Sequence, residues 1–275
     1  MRQVIAGIVA LGIGLLFGLP VLGQSNGLKR LTLRQDLFGF EAVGRLELGG
    51  RGFCTGVLIA PDLVLTAGHC LARVSLGEIE ITKLQFRAGL RDGASIAERG
   101  VKRAVVHPGY RIGGEVNSEN VRHDVALIEL DQPIASGIAA SFRVDRLPQG
   151  KEEVSVVSYA RGRSEALSRQ ARCQVVGRYI DLFVFDCDVT FGASGAPVFS
   201  RVGDRARIVS LISSGTSGDG ERLAYGMELP ELVDDLKRAL RNGRGVLLAN
   251  GVSRPAATIR RTAPVSAPGA KFVRP

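Results

Sequence analysis

No run of five or more basic residues occurs in this chain, although 36 Lys and Arg against 27 Asp and Glu leave a formal charge of +9. Aromatic side chains are not interleaved with the basic ones. A nucleic-acid interface would draw on both features, so the scattered excess reads as a solvated basic surface and no nucleic-acid partner is expected. The sequence also lacks a metal-ligand cluster, a phosphate-cradling Gly-rich loop and any nucleotide motif. Neither a metal nor a cofactor is therefore expected. Tryptophan is absent and methionine occurs twice. Charge is missing between Arg2 and Lys29, where Val4 to Leu19 is an almost unbroken apolar run closed by Pro20. Val21-Leu22-Gly23 then offers the small-residue pattern of a cleavage site before Gln24, so residues 1–23 read as a signal peptide. An uncleaved anchor is the alternative, because the stretch is just long enough to span a bilayer. Both readings deliver the remaining chain outside the cytoplasm, as a secreted or periplasmic protein with no stable membrane association once the signal is removed.

Glycine is abundant, at 35 of 275 residues, and is spread along the chain. That points to many tight turns between short strands. Apolar segments such as Ala42 to Leu48, Gly56 to Ile59, Leu63 to Thr66, Val125 to Leu130, Val154 to Ser158, Leu182 to Phe185 and Ile208 to Ile212 fit that picture. Gly49-Gly50, Asp92-Gly93, Gly113-Gly114 and Gly218-Asp219-Gly220 supply turns between them, and the pattern predicts an all-β fold. One helix is predicted, from Glu231 to Leu240, with apolar Leu232, Val233, Leu236 and Leu240 and a stop at Asn242-Gly243. Residues 136–150 are the best linker between two halves. From residue 249 the chain turns to Ala, Pro, Arg and Ser, and a disordered basic tail is expected through residue 275. Four cysteines in an exported chain permit disulfides in any of three pairings.

Three segments carry chemistry: Leu63-Val-Leu-Thr-Ala-Gly-His69-Cys70, His123-Asp124-Val-Ala-Leu-Ile-Glu-Leu130, and Gly192-Ala193-Ser194-Gly195-Ala196-Pro197. A serine hydroxyl is a poor nucleophile at neutral pH and needs an adjacent base, which a histidine oriented by a carboxylate provides. Each segment alone is a modest signal, and all three in the order His, Asp, Ser are a strong one. That order argues against the α/β-hydrolase arrangement, where serine comes first. His107 precedes Pro108 in a turn and His123 merely precedes Asp124, so neither is assigned a catalytic role.

The three segments resemble the signatures of the trypsin/chymotrypsin family, and His107-Pro108-Gly109-Tyr110 echoes it too. The resemblance covers most of residues 36–242 and is nearer to bacterial members than to vertebrate digestive enzymes. It implies two packed six-stranded antiparallel β-barrels, with residues 24–140 carrying His69 and Asp124, and residues 141–248 carrying Ser194 and the helix. It implies a serine endopeptidase, a monomer, acting on protein or peptide substrates with His69, Asp124 and Ser194 as triad. The oxyanion hole would be the N–H groups of Gly192 and Ser194. It further implies a Cys54–Cys70 bridge, which leaves Cys173 with Cys187. Asp188, six residues before Ser194, falls where trypsins place the carboxylate that selects Arg or Lys, while Leu223 would narrow that pocket. Ser213, Ser214 and Gly215 resemble the segment that pairs with substrate backbone. Two departures agree with each other: Ala193 stands where animal enzymes carry Asp, and no Ile-Val-Gly-Gly amino terminus exists. The activation switch of those enzymes is therefore expected to be missing, with a short pro-segment ending near Lys29-Arg30 as the alternative. An inactive relative serving as a binding module and an esterase-like hydrolase are the competing functions.

Overall fold

The computed structural model describes residues 27–202, 205–216, 222–249 and 251–253. A short strand, β1 (Leu28–Arg30), comes first. Six more follow in the first half: β2 (Val43–Leu48), β3 (Phe53–Ala60), β4 (Leu63–Thr66), β5 (Leu84–Ala88), β6 (Ala97–Val106) and β7 (Ala126–Leu130). Their antiparallel ladder runs β2–β3–β4–β7–β6–β5 and returns to β2, closing a six-stranded barrel. The interior is apolar, filled by Leu46, Leu58, Val64, Phe86, Ala104 and Ile128, all 0% exposed. Burying a side chain such as Phe86 stabilises the barrel by about 2–3 kcal/mol.

The second half contains β8 (Glu153–Ala160), β9 (Arg163–Tyr179), β10 (Leu182–Phe185), β11 (Pro197–Val202), β12 (Arg205–Leu211), β13 (Ser214–Gly215) and β14 (Ala224–Met227). Their order is β12–β11–β8–β9–β10–β14–β13. This sheet curls into a half-barrel rather than a second closed barrel. Among the described residues no ladder joins β12 to β13 or β14, and a buried side chain spans the gap instead, with Ser210 Oγ donating to Met227 O at 2.8 Å. The linker expected at residues 136–150 is irregular but fastened to both halves, through Phe142 N to Leu58 O and Asp145 N to Ile208 O, each at 2.9 Å.

Helices are few among the described residues: α1 (Ala72–Ser75), α2 (Ser118–Arg122) and α3 (Pro230–Asn242). The predicted helix is α3, two residues longer at its end because Asn242 stays helical before Gly243 adopts φ 66° and terminates it. Pro230 opens it at a position that needs no N–H. Its buried face, Val233, Leu236 and Leu240, joins a core that lies between the halves. Val57 and Leu127 enter that core from the closed barrel, and Val157, Tyr159 and Phe199 enter from the half-barrel.

Both ends of the described chain cross to the opposite half, which corrects the expected boundaries. β1 pairs with β9 of the half-barrel, and Leu31 just beyond it is 3% exposed. Lys29-Arg30 is thus part of a sheet. At the other end Arg103 Nη1 donates to Leu240 O at 3.1 Å, holding α3 on the closed barrel. Two further strands, β15 (Val246–Leu248) and β16 (Gly251–Ser253), extend that barrel's β6. The tail expected to be disordered from residue 249 therefore begins with a strand. The reason is backbone pairing to an available strand edge, which composition does not encode. The signal-peptide segment 1–23 and the tail after residue 253 lie outside the described residues.

Candidate active site

β4 ends at Thr66 and the chain turns through the 3₁₀ segment Gly68–Leu71, which presents His69. The Cys54–Cys70 disulfide, with Cα atoms 6.2 Å apart, ties this turn to β3. Asp124 sits between α2 and β7, its N–H bonded to Val121 O at 3.2 Å. A carboxylate buried to 3% exposure needs donors, and Asp124 has three. His69 N donates to Oδ1 at 2.8 Å, His69 Nδ1 to Oδ2 at 2.7 Å, and Ser213 Oγ to Oδ2 at 2.5 Å. Because Nδ1 is committed to Asp124, the neutral imidazole keeps Nε2 as its acceptor. Burial lowers the His69 pKa, but the charge of Asp124 and its hydrogen bond outweigh burial and hold it above the ordinary 6.5. The side chain remains 34% exposed, so its outer edge is reachable.

Ser194 occupies the turn between β10 and β11, flanked by two glycines with positive φ, Gly192 at 91° and Gly195 at 76°. A Cβ on Gly192 would lie 2.3 Å from the Phe53 ring, and one on Gly195 would lie 2.3 Å from both Thr55 O and Thr66 Oγ1. The turn is pinned from both halves: Thr55 N donates to Ser194 O at 2.9 Å and Gly195 N to Ile212 O at 2.7 Å. Among the described residues, the N–H groups of Gly192 and Ser194 donate to nothing.

Thr55, which the sequence analysis passed over, is the bracket between the halves. Its Oγ1 donates to Gly192 O at 2.9 Å and accepts from Tyr159 N at 3.0 Å, while its own carbonyl accepts from Thr66 Oγ1 at 2.9 Å. The available signal was a hydroxyl residue beside Cys54 in an otherwise apolar strand. Thr55→Val keeps the shape and strands the Gly192 carbonyl and the Tyr159 N–H in a buried site. Urea denaturation is expected to show a loss of about 2 kcal/mol, against little change for Thr55→Ser.

The sequence matches the profile described as the trypsin-like peptidase domain over residues 54–205, more than half of the chain. The protein belongs to the trypsin-like peptidase family. It is 30% identical to serine protease 23 of Homo sapiens over 207 residues, covering 62% of this chain and 52% of that protein. It is 24% identical to trypsin iota of Drosophila melanogaster over 196 residues, covering 62% and 71%. A 102-residue stretch is 30% identical to serine proteinase stubble of the same fly, covering 37% of this chain and 11% of that protein. The chain thus spans about a tenth of stubble and half of serine protease 23. In fold it is similar to a Glu endopeptidase solved in complex with MPD, with a TM-score of 0.63 at 18% identity, covering 78% of this chain and 97% of the other.

Within this trypsin-like fold the remaining residues singled out from the sequence divide. Cys173 and Cys187 are bonded, with Cα atoms 5.1 Å apart, as the resemblance implied. Ser214 and Gly215 form β13, which among the described residues is the last strand of its sheet and pairs with β14 on one side only. Ser213 turns its hydroxyl inward to Asp124, a role not foreseen for it. Asp188 is not a bare carboxylate: Arg222 Nη1 meets its Oδ1 at 2.8 Å, with the two side chains 67% and 42% exposed. Ala193 is fully buried. Donor atoms of Cys54, His69 and Cys70 lie within 4.8 Å of one another, but both sulfurs are spent in the disulfide and the group does not suit a metal ion.

His107 and His123 stand outside this constellation, stacked at 5.1 Å between ring centroids and 15° between planes. Burial, then the His123 charge, push the His107 pKa down to about 4, with Asp235 opposing them. The folded state therefore favours neutral His107. Its contribution to stability is complete above the unfolded value near 6.5 and is lost as pH falls through about 4. His107→Phe is expected to remove roughly 3 kcal/mol of the parent's stability difference between pH 7 and pH 4, read by denaturation at both values.

Proposed function

We propose that the protein is an exported serine endopeptidase in which Ser194 forms the acyl-enzyme, and the observation carrying this reading is the 2.7 Å contact of His69 Nδ1 with buried Asp124. His69 Nε2 takes the Ser194 proton as Oγ attacks the scissile carbonyl, then gives it to the leaving amine. A water activated by His69 releases the acyl group. The unclaimed N–H groups of Gly192 and Ser194 hold the tetrahedral oxyanion, each contributing on the order of 100-fold or more to turnover. The open edge of β13 supports pairing of Ser214 and Gly215 with extended substrate backbone. Two disulfides are consistent with an oxidising compartment. With β1 built into the sheet and no acidic residue at position 193, activity needs no cleavage after Arg30.

Selectivity for Arg or Lys is weak in this reading, because such a substrate must displace Arg222 from Asp188. The fold neighbour is called a Glu endopeptidase, and an Asp188 already paired with Arg222 opposes an acidic substrate side chain less than a bare Asp188 would. The test is a peptide-library digest beside a matched ester substrate, for the parent and for Arg222→Ala. Peptide cleavage by the parent, with Arg and Lys sites gaining about tenfold in Arg222→Ala, is the expected result. Ester turnover without peptide cleavage would convert the reading to an esterase, and neither activity in folded protein would leave a binding module.

A further inference from the structure

A second constellation, sharing no residue with the proposed active site, lies where β1 meets β9. The ladder places Lys29 directly opposite Arg169. Like charges across a strand pair repel, so the register needs an answer. Asp36 supplies one for Lys29, at 3.1 Å, and is held by that contact and by Leu33 N. Among the described residues nothing supplies one for Arg169. Its guanidinium lies 5.2 Å over the Phe40 ring, and its Nε is closed off from solvent with no acceptor among the described residues. Burial, then the charge of nearby Arg201, make the Arg169 guanidinium a stronger acid than usual. Arg201 has no acidic partner among the described residues either.

These cations line one groove together with Asp36, whose carboxylate is already paired with Lys29, and the other side chains of its wall are apolar. Leu31 and Phe40, 3% and 9% exposed, form its floor with Leu28, and Phe38 stands at its rim with 69% of its surface exposed. Two guanidiniums beside an apolar floor match an anion attached to an apolar stem: the planar forks take the oxyanion and the floor takes the stem. An inorganic anion would leave the floor unused, and a neutral apolar ligand would leave the like charges unanswered.

We propose that the groove at the β1–β9 junction is a binding site for an organic carboxylate with an apolar body, held by Arg169 and Arg201 over Phe40. Occupancy would cancel the repulsion across the ladder and fasten β1 to its sheet.

The experiment is calorimetric titration of the folded protein with 3-phenylpropionate, with its neutral counterpart 3-phenylpropan-1-ol, and with inorganic phosphate, all at fixed ionic strength in chloride. Saturable binding of the carboxylate is expected, weakened about tenfold in Arg201→Gln, with weaker or no binding of the alcohol and of phosphate. Arg201 is exposed, so that variant should fold as the parent does even if Arg169→Gln does not. Phe38→Ser should also weaken the carboxylate. Equal binding of alcohol and carboxylate, phosphate binding as tight as the carboxylate, an unchanged Arg201→Gln, or no binding at all would each overturn the proposal. None of these readouts depends on peptidase activity.

Discussion

Asp124→Asn is expected to fold normally and to lose about 10⁴-fold in kcat on peptide substrates. All three contacts to the Asp124 carboxylate are donations, one to Oδ1 and two to Oδ2. An asparagine offers one acceptor oxygen. With that oxygen facing His69 N, its NH₂ group points at His69 Nδ1 and at the Ser213 hydroxyl. Imidazole can meet an NH₂ only by making Nδ1 the acceptor, which puts the proton on Nε2 and removes the base that Ser194 needs. The pH profile separates this from general damage. Asp124 is what holds the His69 pKa above 6.5 against burial, so the acid limb of kcat/KM should move to lower pH in the variant. Stability runs the other way from activity. The raised folded pKa means that protonated His69 contributes fully below about 6.5, and the contribution is lost as pH rises through the folded value. A fall of less than tenfold in kcat, or an unmoved acid limb, would contradict the assignment of His69 and Asp124.

Gly195→Ala should be severely damaging for a single added methyl group. The position has φ 76°, unfavourable for any residue with a Cβ, and the new atom would sit 2.3 Å from Thr55 O, 2.3 Å from Thr66 Oγ1 and 2.8 Å from Ala67 N. Two of these are backbone atoms of the closed barrel, so the turn rather than its neighbours must move. Strain and overpacking together amount to roughly 3 kcal/mol, readable in urea denaturation. The displacement is carried by the residue next to Ser194. A shift of about an ångström at the nucleophile costs around 100-fold in rate, so acylation should fall by that much even where the variant remains folded. Near-parent stability together with near-parent acylation would show that the turn is softer than its contacts imply.

What the sequence discloses depends on how local the information is. Leu63 to Thr66 and Leu182 to Phe185 are short strands with at least three consecutive apolar residues, and their observed bounds coincide with those expected. β9 was not singled out, because its 17 residues include Arg163, Arg169, Arg172 and Arg178 and no uninterrupted apolar run marks it. The His, Asp and Ser segments were legible since each is a few contiguous residues. Their supports were not. Thr55 reaches Gly192 across 137 positions, Ser213 reaches Asp124 across 89, and Arg222 reaches Asp188 across 34. Likewise nothing local in Leu28–Arg30 or Val246–Leu248 announces that each will pair with the opposite half. Short-range patterns set strand and helix identity, whereas the tertiary approach of distant backbones decides which hydroxyl or carboxylate finds which partner.

The central claim is that Ser194 is a nucleophile activated by His69, and a fluorescent fluorophosphonate tests it most directly. Applied to the processed protein and to Ser194→Ala, each verified as folded, the reagent should label the first covalently and leave the second unlabelled, with the tag mapping to Ser194. Equal labelling of both proteins, or none of the folded parent, would contradict the account.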